Sequence, residues 1–326
     1  MPKVIVAPSV LAADMGNLNQ ECKRMMDAGA DWLHMDVMDG HFVPNLVLGA
    51  PPLSSVHKAV PGIFMDCHMM VTEPGRWIKD IAEAGGSSYT FHLEAAYDPL
   101  DIVRKVKAAN MRAAVAINPG TPTSEISNEL GESVDMILVM TVWPGYGGQK
   151  FMKECMPKVA ELRARFPNLD IEVDGGVGPK TIDRCADAGA NVLVAGTAIF
   201  AAEDPKEVIS FLRQRCEEAQ ERIKAEREQI LFDPSSAIDD EEGEDLAALE
   251  GRRSRAMTPL SHPRAYIRNL ALRRDSTAST DGKMIKSGYG VPSPSVSRRG
   301  SDALGAVGDN GVLFNGAVGM TPMHTD

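Results

Sequence analysis

Short apolar runs that recur about every thirty residues are the feature that most constrains the fold of this chain. Each run has the length of a buried strand, and segments with a helical pattern lie between the runs. Strands that alternate with helices indicate a parallel sheet covered by helices. There are eight such runs, at residues 4–7, 32–37, 63–70, 89–93, 113–117, 136–142, 171–173 and 192–195.

Small-residue turns precede several of the predicted strands. Gly29, Gly85 and Gly189 stand at predicted helix ends, shortly before strands two, four and eight. Glycine suits the left-handed residue just past a helix end, and such a turn returns a helix to the next parallel strand. Eight strands with their helices fit a closed (β/α)8 TIM barrel of roughly 220 residues, whose chemistry lies at the C-terminal ends of the strands. A doubly wound open sheet is the alternative.

The composition changes near residue 232 and divides the chain into two regions. Residues 1–232 contain all five cysteines and all three tryptophans, and the run 205–230 predicts a final helix that extends outward from the barrel. Residues 233–326 open with an acidic cluster and continue with Ser-, Gly- and Pro-rich stretches, in which apolar residues are too sparse for a packed core. We therefore predict a barrel domain at 1–232 and a low-complexity, mostly disordered tail at 233–326.

Charge and composition disfavour several classes of protein. The formal net charge of −11 disfavours nucleic acid as a partner. The chain has no run of eighteen apolar residues, which disfavours a membrane span, and its N-terminus lacks the pattern of a signal or transit peptide. The cysteines are widely spaced without a CxxC pair, which indicates reduced thiols. The sequence therefore predicts a cytoplasmic protein.

Two histidines and two aspartates stand at the ends of predicted strands. His34 and Asp36 belong to strand two, His68 to strand three and Asp174 to strand seven. Alternate side chains along a strand share a face, and the inward faces of barrel strands converge. Two imidazoles with two carboxylates suit Zn²⁺, Fe²⁺, Mn²⁺ or Co²⁺ better than Ca²⁺ or Mg²⁺, which prefer oxygen ligands. The sequence therefore predicts one metal site at this end of the barrel.

Three adjacent loops at the same end of the predicted barrel contain glycine. Gly145, Gly147 and Gly148 follow strand six, Gly175 and Gly176 follow strand seven, and Gly196 and Thr197 follow strand eight. Glycine lets backbone N–H groups approach an anion closely, and barrels often bind phosphate between the loops after strands seven and eight. We interpret the three loops as a cradle for the phosphate of a sugar phosphate.

Longer motifs around these residues resemble the ribulose-phosphate 3-epimerase family over about residues 3–216. The motifs are APS at 7–9, LHMDVMDGHFVPN at 33–45, DCHMM at 66–70, FHLE at 91–94, MTV at 140–142, PGYGGQ at 144–149 and VDGG at 173–176. The resemblance implies a ribulose-phosphate-binding barrel. It also implies interconversion of D-ribulose 5-phosphate and D-xylulose 5-phosphate, by epimerisation at carbon 3 through an enediolate, in the pentose phosphate pathway.

The resemblance also implies roles for individual residues. His34, Asp36, His68 and Asp174 resemble the four ligands of one divalent metal ion per subunit, and Asp36 and Asp174 resemble the paired acid/base groups. Implied substrate contacts are Ser9, His34, His68, Gly145, Tyr146, Gly147, Gly148, Asp174, Gly175, Gly176, Gly196 and Thr197. Met38, Met70 and Met140 resemble a methionine cluster beside the reacting carbon. The family further implies a homo-oligomer, with a homodimer as the first expectation.

Two positions depart from the family pattern. Trp143 stands where a polar residue is expected, and Thr197 stands where serine is common. Thr197 keeps a hydroxyl and a backbone N–H, so we expect phosphate binding to be retained. Trp143 affects only the expected surface of the loop.

Other functions and one modification are also compatible with the sequence. A 3-epimerase of a hexulose 6-phosphate would use the same groups in a pocket of different length, and a non-catalytic phosphosugar sensor would signal through the tail. A decarboxylase is disfavoured because the segment from Asp36 to Asp39 lacks the lysine of an Asp-x-Lys-x-x-Asp array. In the tail, Ser276 and Ser301 lie in RRxS patterns typical of basophilic kinase sites, which makes a kinase a candidate partner.

Overall fold

Eight parallel strands form a barrel in the computed structural model, which describes residues 1–232 and the side chains as far as residue 226. The strands within this range are β1 (Ile5–Pro8), β2 (Leu33–Asp39), β3 (Leu46–Val47), β4 (Met65–Met70), β5 (Ser88–His92), β6 (Arg112–Ile117), β7 (Met136–Met140), β8 (Asp170–Asp174) and β9 (Val192–Ala195). The helices are α1 (Leu18–Asp27), α2 (Ala50–Ala59), α3 (Ile78–Glu83), α4 (Pro99–Ala108), α5 (Asn128–Ser133), α6 (Met156–Arg165), α7 (Ile182–Asp187), α8 (Thr197–Phe200) and α9 (Pro205–Phe232).

The barrel closes between its first two strands. The order of hydrogen-bonded neighbours is β1-β9-β8-β7-β6-β5-β4-β2-β3, and β3 alone of these strands is antiparallel to its neighbour. A parallel bridge joins Ser9 to His34, and the N–H of Asp31 donates to the carbonyl oxygen of Val6 over 3.0 Å. These contacts join β1 to β2, so the predicted closed (β/α)8 barrel is confirmed and the open sheet is excluded.

The predicted strands are all present, with small differences at their ends. The run 192–195 matches β9 at both ends, β2 continues two residues beyond its prediction to Asp39, and β7 ends at Met140 instead of residue 142. The short β3 was not predicted. The predicted helix-end glycines are also confirmed, since Gly29 has a φ of 96° and accordingly lies in the left-handed region.

The barrel interior has an apolar side and a polar side. β1, β6, β7 and β9 supply an apolar cluster that includes Ile5, Ala7, Ala114, Met136, Val192 and Val194. β2, β4, β5 and β8 supply the buried polar residues His34, Asp36, Asp66, His68, Ser88, Thr90, His92 and Glu172. Buried polar groups destabilise a fold unless they are paired. Their concentration on four neighbouring or facing strands therefore indicates a functional site inside the barrel.

The helices cover the outside of the barrel, and α9 completes this layer. It begins at Pro205 as predicted, and it buries Leu212 and Cys216 against the domain. The side chain of Gln220 donates to the carbonyl oxygen of Pro2 over 3.0 Å, which ties α9 to the start of β1. Among the described residues, no helix combines the length and the apolar character needed to cross a membrane. The predicted disordered tail at 233–326, with Ser276 and Ser301, lies outside the described residues.

Candidate active site

The four predicted metal ligands lie together at the C-terminal end of the barrel. Nε2 of His34 is 3.1 Å from Nδ1 of His68 and 3.5 Å from Oδ1 of Asp36. Nδ1 of His68 is 3.3 Å from the same oxygen of Asp36. Oδ2 of Asp174 is 3.6 Å from each of these two imidazole nitrogens. Four donor atoms from β2, β4 and β8 therefore surround one point.

This spacing fits a divalent metal ion of the transition series. Bonds of about 2.0–2.2 Å from a central ion to nitrogen and oxygen give a tetrahedron whose edges are about 3.3–3.6 Å long. The distances of 3.1–3.6 Å between the donor atoms of His34, His68, Asp36 and Asp174 correspond to these edges. The donor atoms of the His/Asp cluster therefore lie at spacings close to those of a tetrahedral metal site.

A second set of polar residues contacts the other ring nitrogen of His34, Nδ1. Nδ1 of His34 lies 2.8 Å from Oδ2 of Asp66 and 3.5 Å from Oε1 of Glu172. The hydroxyl of Thr90 donates to the other oxygen of Asp66 over 2.9 Å. A carboxylate that accepts the Nδ1–H of a histidine fixes the tautomer in which Nε2 presents a lone pair. Asp66 therefore prepares His34 to bind a cation through Nε2.

The two aspartates of the cluster have opposite electrostatic environments. Burial alone would raise the pKa of Asp36, but the charge of His34 and hydrogen bonds from His34 and His68 hold it well below its usual range. Burial raises the pKa of Asp174 to about 7, and the charges of Asp36 and Asp66 contribute to that rise. Two carboxyls with separated pKa values are typical of an acid/base pair.

The other buried titratable groups of the site differ in the direction of their pKa shifts. Burial lowers the pKa of His68 to about 4, so its imidazole is neutral. Burial acts on His34 in the same direction, but the charge of Asp36 and hydrogen bonds with Asp36, Asp66 and Glu172 raise its pKa well above the usual value. Burial and the charge of Asp66 raise the pKa of Glu172, which favours the neutral acid. In the metal-free cluster the raised pKa of His34 favours its protonated form, whose single charge compensates part of the charge of Asp36 and Asp66.

A cavity of about 800 Å³ opens at the cluster. Its walls contain Ser9, Asp36, Met38, Met70, Met140, Gly145, Tyr146, Gly147, Gly148, Asp174, Gly175, Gly176, Gly196 and Thr197. His34 and His68 are fully buried. The structure thus places every predicted substrate contact in the cavity wall except these two histidines, which reach the cluster from inside the barrel. Ser9 also donates its hydroxyl to Oδ2 of Asp36 over 2.7 Å, which orients that carboxylate.

The loop after β8 requires glycine at its first position. Gly175 has a φ of 118°, and a Cβ atom there would lie 2.4 Å from Cγ2 and 2.8 Å from the backbone nitrogen of Val142. Both the backbone conformation and the close approach of the β7 loop exclude a larger residue. The backbone of this loop is thereby held at the cavity wall.

The three predicted methionines line the cavity from two sides. Met38 and Met70 are opposite each other in the pairing of β2 with β4, and they pack with Val43. Met140 belongs to a separate apolar cluster with Val142 on the β7 side. All three are almost fully buried, with 1–3% of their surface exposed. They form apolar walls beside Asp36 and Asp174.

Some residues of the site were not predicted. Asp66 and Glu172 each stand two residues before a predicted ligand, so strand alternation places them on the same inward face, and this signal was available. Trp143 and Lys180 also line the cavity, and Trp143 is half-exposed. Their positions depend on loop conformations that sequence periodicity does not determine.

The fold and the cavity define a class of protein, a (β/α)8 barrel enzyme with its polar site at the C-terminal ends of the strands. Comparison with known proteins identifies the family within this class. The chain belongs to the ribulose-phosphate 3-epimerase family, whose model matches residues 5–200. The relatives of this chain that carry the name ribulose-phosphate 3-epimerase are enzymes, and so is this protein.

Individual relatives show how much of the chain the family covers. The ribulose-phosphate 3-epimerase of Candida glabrata is 52% identical over 240 residues, which span 69% of this chain and 96% of the relative. The cytoplasmic isoform from Oryza sativa is 51% identical and covers 67% of this chain and 96% of its own. The crystal structure of 3-hexulose-6-phosphate synthase from Salmonella typhimurium has a TM-score of 0.51 and 18% identity, covers 66% of this chain and 99% of its own, and shows the shared fold alone.

Proposed function

We propose that this protein is a metal-dependent ribulose-phosphate 3-epimerase that interconverts D-ribulose 5-phosphate and D-xylulose 5-phosphate. The observation that carries the proposal is the convergence of Asp36 and Asp174, at the wall of one cavity, with the buried His34 and His68. Epimerisation beside a ketone needs two acid/base groups at the reacting carbon, and this cluster supplies two carboxyls. The names of relatives at about half identity support the same substrate.

The two aspartates move the proton in this proposal. Asp36, whose hydrogen bond from Ser9 orients its carboxylate, removes the proton from carbon 3 on one face of the substrate. The electron pair left behind forms an enediolate with the neighbouring ketone, and Asp174 delivers a proton to the opposite face of carbon 3. In the reverse direction the two residues exchange roles. The walls formed by Met38, Met70 and Met140 exclude water from the reacting carbon.

A divalent metal ion held by His34, Asp36, His68 and Asp174 would supply Lewis-acid stabilisation of the negative charge on the substrate oxygens. The mixed nitrogen and oxygen donors favour zinc, iron, manganese or cobalt, with one ion in each subunit. The glycine loops after β7, β8 and β9 would bind the phosphate through backbone N–H groups. Lys180 at the cavity wall would add a positive charge to this end of the substrate.

We further propose the setting in which the enzyme works. Residues 1–232 form the catalytic barrel, and the tail at 233–326 is a separate region that a kinase can modify. The protein acts in the cytoplasm, as the name of the rice relative supports, and it acts as a homodimer in the pentose phosphate pathway.

Turnover measurements before and after metal removal test the proposal. The metal-loaded protein should convert D-ribulose 5-phosphate to D-xylulose 5-phosphate, and removal of the metal with a chelator should abolish this activity. Asp36→Asn and Asp174→Asn should each lower kcat by at least about 100-fold, because each removes one acid/base group. Asp27→Asn on the exposed end of α1 is the matched control and should keep normal turnover.

The same assay separates the competing functions. A faster reaction with a hexulose 6-phosphate would assign the other substrate. Binding of sugar phosphate without any turnover would favour the sensor. Near-normal kcat in either aspartate variant would remove that residue from the acid/base pair.

A further inference from the structure

A chain of polar side chains leads from the cluster to the rim of the barrel. His68 faces the cluster with Nδ1, and its other nitrogen, Nε2, lies 2.8 Å from Nε2 of His92 on β5. Nδ1 of His92 lies 3.3 Å from Oε2 of Glu94, just after the end of β5. His92 is fully buried, whereas the side chain of Glu94 is 24% exposed. Two residues thus connect a buried imidazole of the site to the barrel rim.

The protons in this chain can be assigned in one direction. If Nδ1 of His68 presents its lone pair to a cation, the proton of this neutral imidazole is on Nε2. That N–H must donate to Nε2 of His92, because the two nitrogens are 2.8 Å apart and one of them must accept. The proton of a neutral His92 is then on Nδ1, from which it donates to the carboxylate of Glu94. Each hydrogen-bond donor along the path then meets an acceptor.

Glu94 is in turn fixed by the loop after β6. Its second oxygen, Oε1, accepts the N–H of Asn118 over 2.7 Å and the hydroxyl of Thr121. The ammonium of Lys158 holds the same loop from the other side by donating to the carbonyl oxygens of Asn118, Pro119 and Thr121. These bonds give the carboxylate of Glu94 one orientation. Hydrogen bonds from Asn118, Thr121 and His92 also hold the pKa of Glu94 near 2 against the effect of burial, so the group is charged at neutral pH.

We propose that His92 and Glu94 are positioning residues that set the tautomer and orientation of His68, and so the strength with which the site holds its metal. This inference rests on the metal ion of the proposed function, and it adds two residues that act through His68. His34 is oriented directly by the carboxylate of Asp66, whereas His68 is oriented by a carboxylate that acts through a second imidazole. Glu94 is therefore the counterpart of Asp66 for the other histidine of the pair.

Metal retention in variants of Glu94 tests the inference. The full-length protein is loaded with one equivalent of Zn²⁺, and the rate of zinc loss to excess chelator is measured. Outer partners of metal-binding histidines typically change metal affinity by about 10- to 100-fold. Glu94→Ala should accelerate zinc loss by about that factor. Glu94→Gln should accelerate it less, because its single amide oxygen can still accept from His92, at the expense of the bonds from Asn118 and Thr121 and without a charge.

Two control variants separate positioning from general loosening of the rim. Ser127→Ala removes the side chain that caps the N-terminus of α5, which accepts the N–H of Leu130 over 3.1 Å and makes no hydrogen bond to Glu94 or His92. Asp39→Asn weakens another rim carboxylate, which accepts the N–H groups of His41, Phe42 and Thr72 and contacts no histidine of the cluster. Both controls should lower the melting temperature while zinc loss stays within about twofold of the wild type. Equal acceleration in a control and in Glu94→Gln would overturn the inference.

NMR of the ¹⁵N-labelled, zinc-loaded protein gives an independent test. Long-range ¹H–¹⁵N spectra should show His92 protonated at Nδ1 and unprotonated at Nε2. The opposite tautomer, or zinc loss in both Glu94 variants within about twofold of the wild type, would overturn the positioning role while leaving the proposed function intact. Failure of the wild type to bind one equivalent of zinc or of another divalent metal would overturn both the positioning role and the metal-dependent function. If Glu94→Ala does not fold, Glu94→Gln and the NMR result decide.

Discussion

The substitution Asp174→Asn should stabilise the metal-free protein while it removes activity. The unfolded chain releases the proton of this carboxyl near its ordinary pKa of 3.8, whereas burial raises the pKa of the folded state to about 7. The wild type is therefore most stable below the unfolded value, and it loses stability as the pH rises through about 7. The asparagine has no charge to bury, so this loss should be absent from the variant.

The size of the effect follows from the shift of about three units, because each unit corresponds to about 1.4 kcal/mol. Above pH 7 the metal-free variant should be more stable than the wild type by up to about 4 kcal/mol. In a domain of this size about 1 kcal/mol shifts the melting temperature by about 2–4 °C, so the difference should reach roughly 10 °C. At pH 4 the two proteins should unfold at nearly the same temperature, because both carry a neutral group at this position.

The assay is thermal unfolding of the metal-free proteins across this pH range, followed by the same scans with added metal. Metal binding to the folded state adds stability by mass action. The variant has a neutral amide oxygen in place of one charged donor and should gain less, so added metal should reverse the order of stability. Asp170→Asn is the matched control on the same strand. It should destabilise the protein with and without metal, since Asp170 pairs with Arg112 over 2.6 Å.

Either of two results would refute this reasoning. At pH 8 without metal, an Asp174→Asn protein that unfolds at or below the wild-type temperature would show that the buried charge is not a net cost. A wild type whose stability does not fall between pH 5 and pH 8 relative to the variant would show the same.

Two further predictions follow from the cavity wall and from the organisation of the chain. Gly175→Ala should raise KM and lower the melting temperature, because its Cβ would meet the backbone nitrogen of Val142 at 2.8 Å. Gly62→Ala, also at a positive φ but with open space around it, should lower only the melting temperature, and equal KM values would contradict the role of the β8 loop. Residues 1–232 expressed without 233–326 should keep full turnover, and a large loss would show that the tail belongs to the working enzyme.

The pattern of apolar runs was sufficient to predict the barrel, and the missed element shows its limit. Strands such as β9 (Val192–Ala195) are continuous apolar runs because both faces of a parallel barrel strand are buried. The two residues of β3 are too few for a periodic signal, and Leu46 is 77% exposed. They pair with the end of β2 only because the intervening loop folds back, and that depends on contacts such as the bond from Asn45 to the carbonyl oxygen of Gly145.

The site was predicted to the extent that it depends on strand alternation. His34 and Asp36 are two residues apart on the inward face of one strand, and this spacing was sufficient to place them together; the same spacing between Asp66 and His68 was not used. The choice of ring nitrogen could not be predicted. His34 uses Nε2 and His68 uses Nδ1 toward the cluster, because their second nitrogens meet different partners on neighbouring strands. The partner of His68 depends on the register of β4 against β5, in which His68 lies opposite Thr90.

The strand β8 shows how one short segment serves stability and chemistry together. Asp170, Glu172 and Asp174 alternate along it and therefore share the inward face. Asp170, at the N-terminal end, is paired with Arg112 and accepts a hydrogen bond from Asn191 over 2.8 Å, so its charge is compensated. Glu172 is fully buried with a raised pKa, and Asp174 faces the cavity with a pKa near 7. Compensation is thus complete at the N-terminal end, where stability is gained, and incomplete at Glu172 and Asp174, of which Asp174 reaches the cavity and can bind a cation or transfer a proton.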